Sequence, residues 1–418
     1  MTTQSENKFP FCEILERCKK ANIKTEVLQM IYQPWIQVNL QPEAQTKKDK
    51  INIFIKNVEE AEMLLDIDFE TIYAISKYHG YYSIQDHYIE AMLEYAGSKG
   101  HSSIYTQVIK QLGILEASYN DPINQSSQIQ ETVNSDRIFI SKNQYSDVKL
   151  SLGLSEKYFS ILEGLSSWKI NQTPESLQLK LTTIRIENVN ISSHEDALAI
   201  LEKIGNSLLF QLNIQTVLPI YLAPRENQDY SIIPSIIRKR NSSNEIQPVE
   251  LNFPTHEYDT EPTSLYWYAN TAPRMPILQY LAYYQVIEFY FPRFKNNDDT
   301  NEITSLKATI KNCVQPEDIK SFFEEESRLK FFRNYDKWKD ITTKPSPIRK
   351  QSDIVNDTAI RIYDIRCKIV HTKNLDSSDE PKFILPFSKE AQKLGHDIEL
   401  VQFIARKVLE HCRKPLTI

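Results

Sequence analysis

One stretch of the chain leaves little freedom in how it can fold. Pro273 to Phe291, PRMPILQYLAYYQVIEFYF, is apolar or aromatic on nearly every side of a helical wheel. A helix without a polar face has no side to offer water, so other elements must enclose it. Pro292 is expected to stop it, because proline lacks an N–H and its ring clashes with the preceding turn. Glu288 is the exception inside the run. A carboxylate there must be paired or must line a cleft, since burying an unpaired charge is costly. Four more helices are expected around this one, over Glu302 to Cys313, Glu317 to Tyr335, Asp353 to Val370 and Lys389 to Cys412, each with apolar residues at three- and four-residue intervals. Five helices with short connections make a bundle.

At 418 residues the chain is too long for one core, and two or three domains are expected. Two polar segments rich in Asn, Ser, Gln or Pro, Asn120 to Ser135 and Asn241 to Ser264, read as linkers. They divide the chain into an N-terminal domain (1–119), a middle domain (136–240) and the bundle (265–418). The N-terminal domain reads as helical, over Phe11 to Lys20, Val58 to Leu65, Glu70 to Tyr78, Ile84 to Tyr95 and Ile104 to Leu112. Ser102 to Ile109 has the outline of a helix-turn-helix but no Arg/Lys recognition face, which favours a plain helical bundle. In the middle domain Leu177, Leu179, Leu181, Ile184, Ile186, Val189 and Ile191 alternate imperfectly, as one or two strands do. A helix follows, with Ser192 and Glu195 as its capping box and Leu198, Leu201, Ile204, Leu208 and Leu212 as its apolar stripe. That domain shows no catalytic pattern and reads as a scaffold or sensing surface.

Composition removes several function classes. Among only 8 glycines there is no G-x-G-x-x-G and no G-x-x-x-x-G-K-[ST], so the common phosphate-cradling loops are missing. With 49 Lys+Arg against 55 Asp+Glu, the net charge of -6 excludes a chain that is basic throughout, though not a local basic site. The 5 cysteines are odd in number and scattered, which suits reduced thiols rather than a disulfide framework, and no Cys/His spacing suits zinc. The polar start and the lack of an 18-residue apolar stretch point to a cytoplasmic protein without a membrane span. No metal and no cofactor are expected.

The residues that carry chemistry sit at the end of the expected Asp353 to Val370 helix: Arg361-Ile-Tyr363-Asp364-Ile-Arg366-Cys367-Lys368-Ile-Val370-His371-Thr-Lys373. Its Arg-x-x-x-x-His core, Arg366 to His371, resembles the signature of HEPN domains, helical bundles many of which are ribonucleases in bacterial defence, toxin and RNA-processing systems. A second match, Arg406 to His411, lacks the context of the first. That context is Tyr363 three residues before the arginine, Ile-Val before the histidine, and an upstream helix rich in Tyr and Glu. The resemblance covers roughly 265 to 415 and implies a metal-independent endoribonuclease, a two-fold homodimer with motifs facing each other, RNA as substrate and no cofactor. The chemistry is consistent with the residues. Cleavage by the 2′-hydroxyl needs a proton acceptor, which His371 can be, and fixed positive charge at the phosphate, which Arg366 can supply bidentately. Tyr363, Cys367, Lys368, Lys373 and Glu288 are the candidate supporting residues. Five residues apart on an ideal helix is a rotation of about 140° beyond one turn, so Arg366 and His371 share no face unless the helix ends or a second protomer completes the site. Cys367 departs from the Asn, Asp or His that HEPN nucleases carry after the arginine, and is a weak hydrogen-bonding group.

Arg328 to Lys350 supports a nucleic-acid partner. Arg328, Lys330, Arg333, Lys337, Lys339, Lys344, Arg349 and Lys350 face only Asp336 and Asp340, with Phe331, Phe332, Tyr335 and Trp338 between them. Such a segment can hold phosphates and stack bases; equally, its aromatics can be the core face of an amphipathic helix. The expected fold is therefore mostly α: a helical N-terminal domain, a mixed α+β middle domain and a C-terminal HEPN-like helical bundle. The expected function is an RNA-cleaving enzyme in antiphage defence or as a regulated toxin, with a regulatory protein or phage-derived trigger. The alternatives are an inactive RNA- or nucleotide-binding or regulatory module, a partner to a nucleotidyltransferase, and a structural role in which Arg366 packs or pairs with a carboxylate such as Asp364 or Glu288 and His371 is a C-terminal helix residue favoured by the dipole.

Overall fold

A computed structural model describes residues 10–29, 34–40, 51–95, 137–140, 147–166, 181–216, 220–225, 252–272, 275–295, 301–324, 328, 332, 348, 353–370, 384–386 and 388–417. The chain forms two compact units, Met1–Thr255 with Leu416–Ile418, and His256–Pro415.

The first unit overturns the expected helical N-terminal domain, and with it a mostly α chain. Helices α1 (Pro10–Lys20) and α2 (Val58–Leu65) are present as expected. Glu70 to Tyr78, expected as helix, instead contributes to a 3-10 turn (Phe69–Thr71) and to strand β4 (Ile72–Ala74). Ile84 to Tyr95 is a turn leading into strand β6 (Tyr88–Tyr95). The reason is burial on both faces: Ile89, Glu90, Ala91 and Leu93 are fully buried and Met92 nearly so. A strand covered on both sides loses its polar alternation, and the spacing that remains imitates a helix. The expected Ile104 to Leu112 helix, the helix-turn-helix candidate and the Asn120 to Ser135 linker lie outside the described residues.

Two antiparallel sheets organise this unit. The smaller has the order β1 (Thr25–Gln29), β2 (Pro34–Asn39), β3 (Asn52–Ile55). Ile36, Val38, Ile53 and Ile55 share a buried cluster with residues of α1 and α2. The larger, seven-stranded sheet adds β5 (Gly80–Ser83), β7 (Arg137–Ile140), β8 (Lys149–Leu154), β9 (Thr182–Glu187) and β10 (Ile220–Leu222). Its order is β4-β5-β6-β9-β8-β7, with β10 paired to the C-terminal end of β6, Leu93 to Tyr95. Gly80 permits the β5–β6 approach, because a Cβ there would lie 3.0 Å from the Glu90 carbonyl and 3.2 Å from the Ala91 Cβ.

Helix α3 (Lys157–Ser166) follows β8, and α4 (His194–Ile200) follows β9. The cap of α4 is one residue later than expected. Ser193, not Ser192, accepts from the Asp196 N–H at 3.1 Å, and the Asp196 carboxylate accepts from the Ser192 N–H at 3.1 Å. This is a capping box with Asp in place of Glu. A π-turn (Leu201–Gly205) leads into α5 (Asn206–Thr216), and Leu201, Ile204, Leu208 and Leu212 of the expected stripe are buried.

Two buried polar networks pin the larger sheet. Glu90 accepts from Thr183 Oγ1 at 2.7 Å, Tyr158 Oη at 2.6 Å, Arg185 at 3.2 Å and Arg137 at 3.3 Å. On α3, Glu163 accepts from Arg225 at 3.0 Å and lies 2.7 Å from His79 Nδ1. Burial opposes the Glu163 charge, but Arg225 and His79 outweigh it and hold its pKa down at about 2.

Among its described residues the second unit is helical apart from a two-residue ladder between β11 (His256–Glu257) and β12 (Lys414–Pro415). Helix α6 (Thr260–Thr271) begins inside the segment expected to be a linker, with Pro262 tolerated in its first turn. The apolar run forms α7 (Pro276–Glu288), ending before the short α8 (Phe291–Phe294) that accommodates Pro292. Then come α9 (Glu302–Cys313), α10 (Pro316–Phe322), α11 (Ile354–Val370), α12 (Lys389–Gln392) and α13 (Gly395–Cys412). The helix expected over Glu317 to Tyr335 ends at Phe322, with Phe323 and Glu324 outside it and only Arg328 and Phe332 described beyond, and the Lys389 to Cys412 helix is interrupted at Lys393 and Leu394. Tyr280, Tyr283 and Tyr284 of α7 are at most 1% exposed, which makes α7 the core of this unit.

The carboxylate of Glu163 is easier to deprotonate in the folded chain than in the unfolded one, where a pKa of about 4.3 applies. It therefore stabilises the fold above that value, and the contribution disappears as pH falls through about 2. Glu163→Gln is expected to cost about 3–5 kcal/mol at pH 7 by stranding Arg225. The gap to the wild type should narrow as pH drops below about 4.3, read by urea unfolding across pH. A gap that stays constant would refute the ionised pair.

Candidate functional site

Helix α11 carries two arginines with opposite fates. Ile354, Val355, Thr358, Ala359, Arg361, Ile362 and Ile365 form its buried face, so Arg361 points inward despite its charge. It is met by Asp397 of α13, with Nε to Oδ1 at 2.6 Å and Nη2 to Oδ2 at 3.1 Å, a bidentate pair with side chains 3% and 1% exposed. The Phe332 ring lies 4.9 Å from its guanidinium.

Arg366, five residues further on, lies off that face. Its side chain keeps 17% exposure and its Nη2 sits 3.0 Å from Glu302 Oε1, at the first residue of α9. Tyr284 of α7 donates to the same Glu302 oxygen at 2.7 Å, and its ring centroid lies 5.6 Å from the Arg366 guanidinium. An acidic side chain at the first residue of a helix also lies where the helix dipole favours negative charge. Glu288, one turn beyond Tyr284, is half-buried: burial raises its pKa, Glu302 raises it further and Arg366 pulls it back. Tyr284 is likewise pushed up, by burial first and then by Glu302. Three helices thus bring Tyr284, Glu288, Glu302 and Arg366 to one spot.

Glu302 is thus a partner of the motif arginine, in place of the Asp364 or Glu288 named from sequence. Asp364 pairs with Lys368 at 2.7 Å, and that lysine side chain is only 13% exposed. Cys367, one turn on from Tyr363, is the largest cause of the raised Tyr363 pKa, ahead of burial. His371 and Lys373 lie outside the described residues, as do Arg333, Lys337, Trp338, Lys339, Lys344, Arg349 and Lys350. Of the basic segment, Arg328 is described: it pairs with Glu399 at 3.3 Å, donates to the Phe322 carbonyl at 3.2 Å and stacks on the Phe322 ring at 4.4 Å. Phe332 is a core residue, 4% exposed. In the second motif match Arg406 lies 3.7 Å from Glu410, within its own helix.

Sequence reading passed over Glu302 and Arg361. The signal for Arg361 was present in its register with Ile354, Thr358, Ile362 and Ile365, which puts a charge on an apolar face and demands a partner. Glu302 had no comparable signal, since an acidic residue in a first turn is ordinary capping chemistry. Compared with protein-family models, curated proteins and solved structures, the chain matches none.

The two arginines are expected to separate in stability measurements. Arg361→Ala strands a buried carboxylate and should cost about 3–5 kcal/mol. Arg366→Ala removes a partly exposed pair and should cost about 1 kcal/mol or less. Urea unfolding of both variants checks this; equal losses would mark Arg366 as a structural residue rather than a site residue.

Proposed function

We propose that the second unit acts on RNA as a metal-independent endoribonuclease, with Arg366 binding the scissile phosphate and His371 transferring the proton. One observation carries this reading: the motif arginine meets an acid and an aromatic ring from two other helices and keeps 17% of its side chain exposed, while its neighbour Arg361 is sealed in the core. An arginine oriented in this way presents a planar donor set to an incoming anion with little further ordering. In the reaction His371 takes the 2′-hydroxyl proton, the 2′-oxygen attacks phosphorus, and the 5′-oxygen leaves with a proton. The products are a 2′,3′-cyclic phosphate and a 5′-hydroxyl end. Arg366 stabilises the charge that builds on the non-bridging oxygens. Two protomers supply two histidines, one for each proton transfer, which is why a homodimer belongs to the proposal. A regulated toxin or defence enzyme is the setting such an activity suits.

A second reading is favoured by the same geometry. Glu302 already occupies the phosphate-binding partner role, and Cys367 is engaged by Tyr363. A module built this way binds an anionic partner without cutting it.

The test is incubation of the full chain with transfer RNA in EDTA. Cleavage is expected, falling at least about 100-fold in Arg366→Ala and in His371→Ala. Cleavage that survives both substitutions refutes the ribonuclease. Arg366-dependent RNA binding without cleavage, with activity appearing in Cys367→Asn, establishes the second reading instead.

A further inference from the structure

We infer that Glu302 is an autoinhibitory latch: at rest its carboxylate fills the place on Arg366 that an RNA phosphate must take, and the strand binds by displacing it. The inference rests on the reading of Arg366 as the phosphate ligand and adds how access to that ligand is controlled. Glu302 Oε1 lies 3.0 Å from Arg366 Nη2, and both side chains keep part of their surface in solvent. An anion arriving from solution therefore meets a carboxylate that is not sealed in, unlike Asp397 at Arg361.

Glu302 can release the guanidinium without losing its own support. It is the first residue of α9, yet the start of that helix is capped by its neighbour, since Asn301 accepts from the Ile303 N–H at 3.3 Å. The Tyr284 hydroxyl donates to the same Glu302 oxygen at 2.7 Å. When Arg366 turns to a phosphate, that hydroxyl, the dipole of α9 and water remain for the carboxylate, so no charge is stranded. The α9 backbone packs against α11 and holds Glu302 close by, ready to return when the strand leaves.

Charge makes displacement a requirement rather than an option. Glu288 acts electrostatically on both Glu302 and Arg366, so two carboxylates bear on one guanidinium. A phosphate added beside them meets like charge, and it is favoured only once Glu302 has given up its contact. A phosphodiester matches the guanidinium fork with two non-bridging oxygens and arrives on a polyanion that makes further contacts. The latch therefore lowers the affinity that Arg366 alone would give and keeps the arginine oriented until a strand takes over.

The experiment measures binding of the full chain to a fluorescein-labelled 2′-O-methyl RNA oligonucleotide, which keeps the phosphates and lacks the nucleophile, by anisotropy across NaCl concentrations. Glu302→Gln keeps an oxygen for the Tyr284 hydroxyl and removes the competing charge. It should bind about 5-fold more tightly or better. Its plot of log affinity against log salt should steepen by about 0.7, because Arg366 enters the complex without an internal counterion. Two controls separate displacement from bulk charge. Glu288→Gln removes a charge from the same cluster but leaves the Glu302 contact intact, and should gain less. In an Arg366→Ala background, Glu302→Gln should gain nothing. The inference is overturned if Glu302→Gln binds no tighter than the wild type, if Glu288→Gln matches it, or if the gain persists without Arg366. Should Glu302→Gln fail to fold, Glu302→Ala carries the same comparisons. Cleavage of unmodified RNA tests the underlying reading separately: tighter binding with no cleavage by either chain supports the latch and removes the ribonuclease, whereas cleavage with unchanged binding removes the latch alone.

Discussion

Burying tyrosine hydroxyls on a helix without a polar face is the constraint on which the second unit is built. Tyr280, Tyr283 and Tyr284 of α7 are almost wholly enclosed, and each hydroxyl would cost about 1–3 kcal/mol if left without a partner. Each finds one on a different helix. Tyr280 donates to the Ile362 carbonyl of α11 at 2.9 Å, Tyr283 to Asn270 of α6, and Tyr284 to Glu302 of α9. The apolar area of α7 drives its burial, while the hydroxyls decide which neighbour lies against which side. An all-leucine helix of the same shape would be buried as deeply but would not specify that arrangement as tightly.

The first unit solves a similar problem with charge. Strands β6 and β9 are covered on both faces, yet they carry Glu90, Thr183 and Arg185 in the interior. One glutamate serves two arginines, and Glu187 completes the balance at 2.9 Å from Arg185. Burying such a set brings little net stability over apolar residues of the same volume, but removing Glu90 takes away the carboxylate that Arg137 and Arg185 share. The register of β6 against β9, with Glu90 opposite Arg185, is thereby locked, because a slip of one residue would move each charge to the opposite face.

What was legible in the sequence follows from how many sides of an element are covered. Helices α1, α2 and α9 are buried on one side and announce themselves by their apolar stripes. In α2 and α9 the caps help, with Asn57 accepting from the Glu60 N–H and Asn301 from the Ile303 N–H. Strand β6 has no exposed side, so Tyr88, Met92 and Tyr95 satisfied a helical spacing just as well as a strand. The larger sheet also joins β6 to β9, whose sequence separation no local pattern can bridge. The site was legible only in part. Arg366, Tyr363 and the Tyr/Glu helix were found from spacing, whereas Glu302 became visible only when the fold set the first residue of α9 against the last turns of α11.

The contrast between Arg361 and Arg366 shows what burial does to a charged side chain on one helix. At Arg361 the ion pair with Asp397 is closed on all sides, so exchanging its partner for another anion would require opening the core. At Arg366 the Glu302 oxygen in contact also accepts from Tyr284, and both side chains of the pair keep part of their surface in solvent. A phosphate competing for that guanidinium gains two short charge-assisted contacts, while Glu302 keeps the Tyr284 hydroxyl and regains water. Partner exchange therefore requires less opening of the structure at Arg366 than at Arg361. The same acid that neutralises Arg366 at rest also sets its orientation, so the ion pair is as compatible with a site awaiting an anion as with a closed structural contact. The difference lies in the solvent-facing side, which Arg366 has and Arg361 lacks.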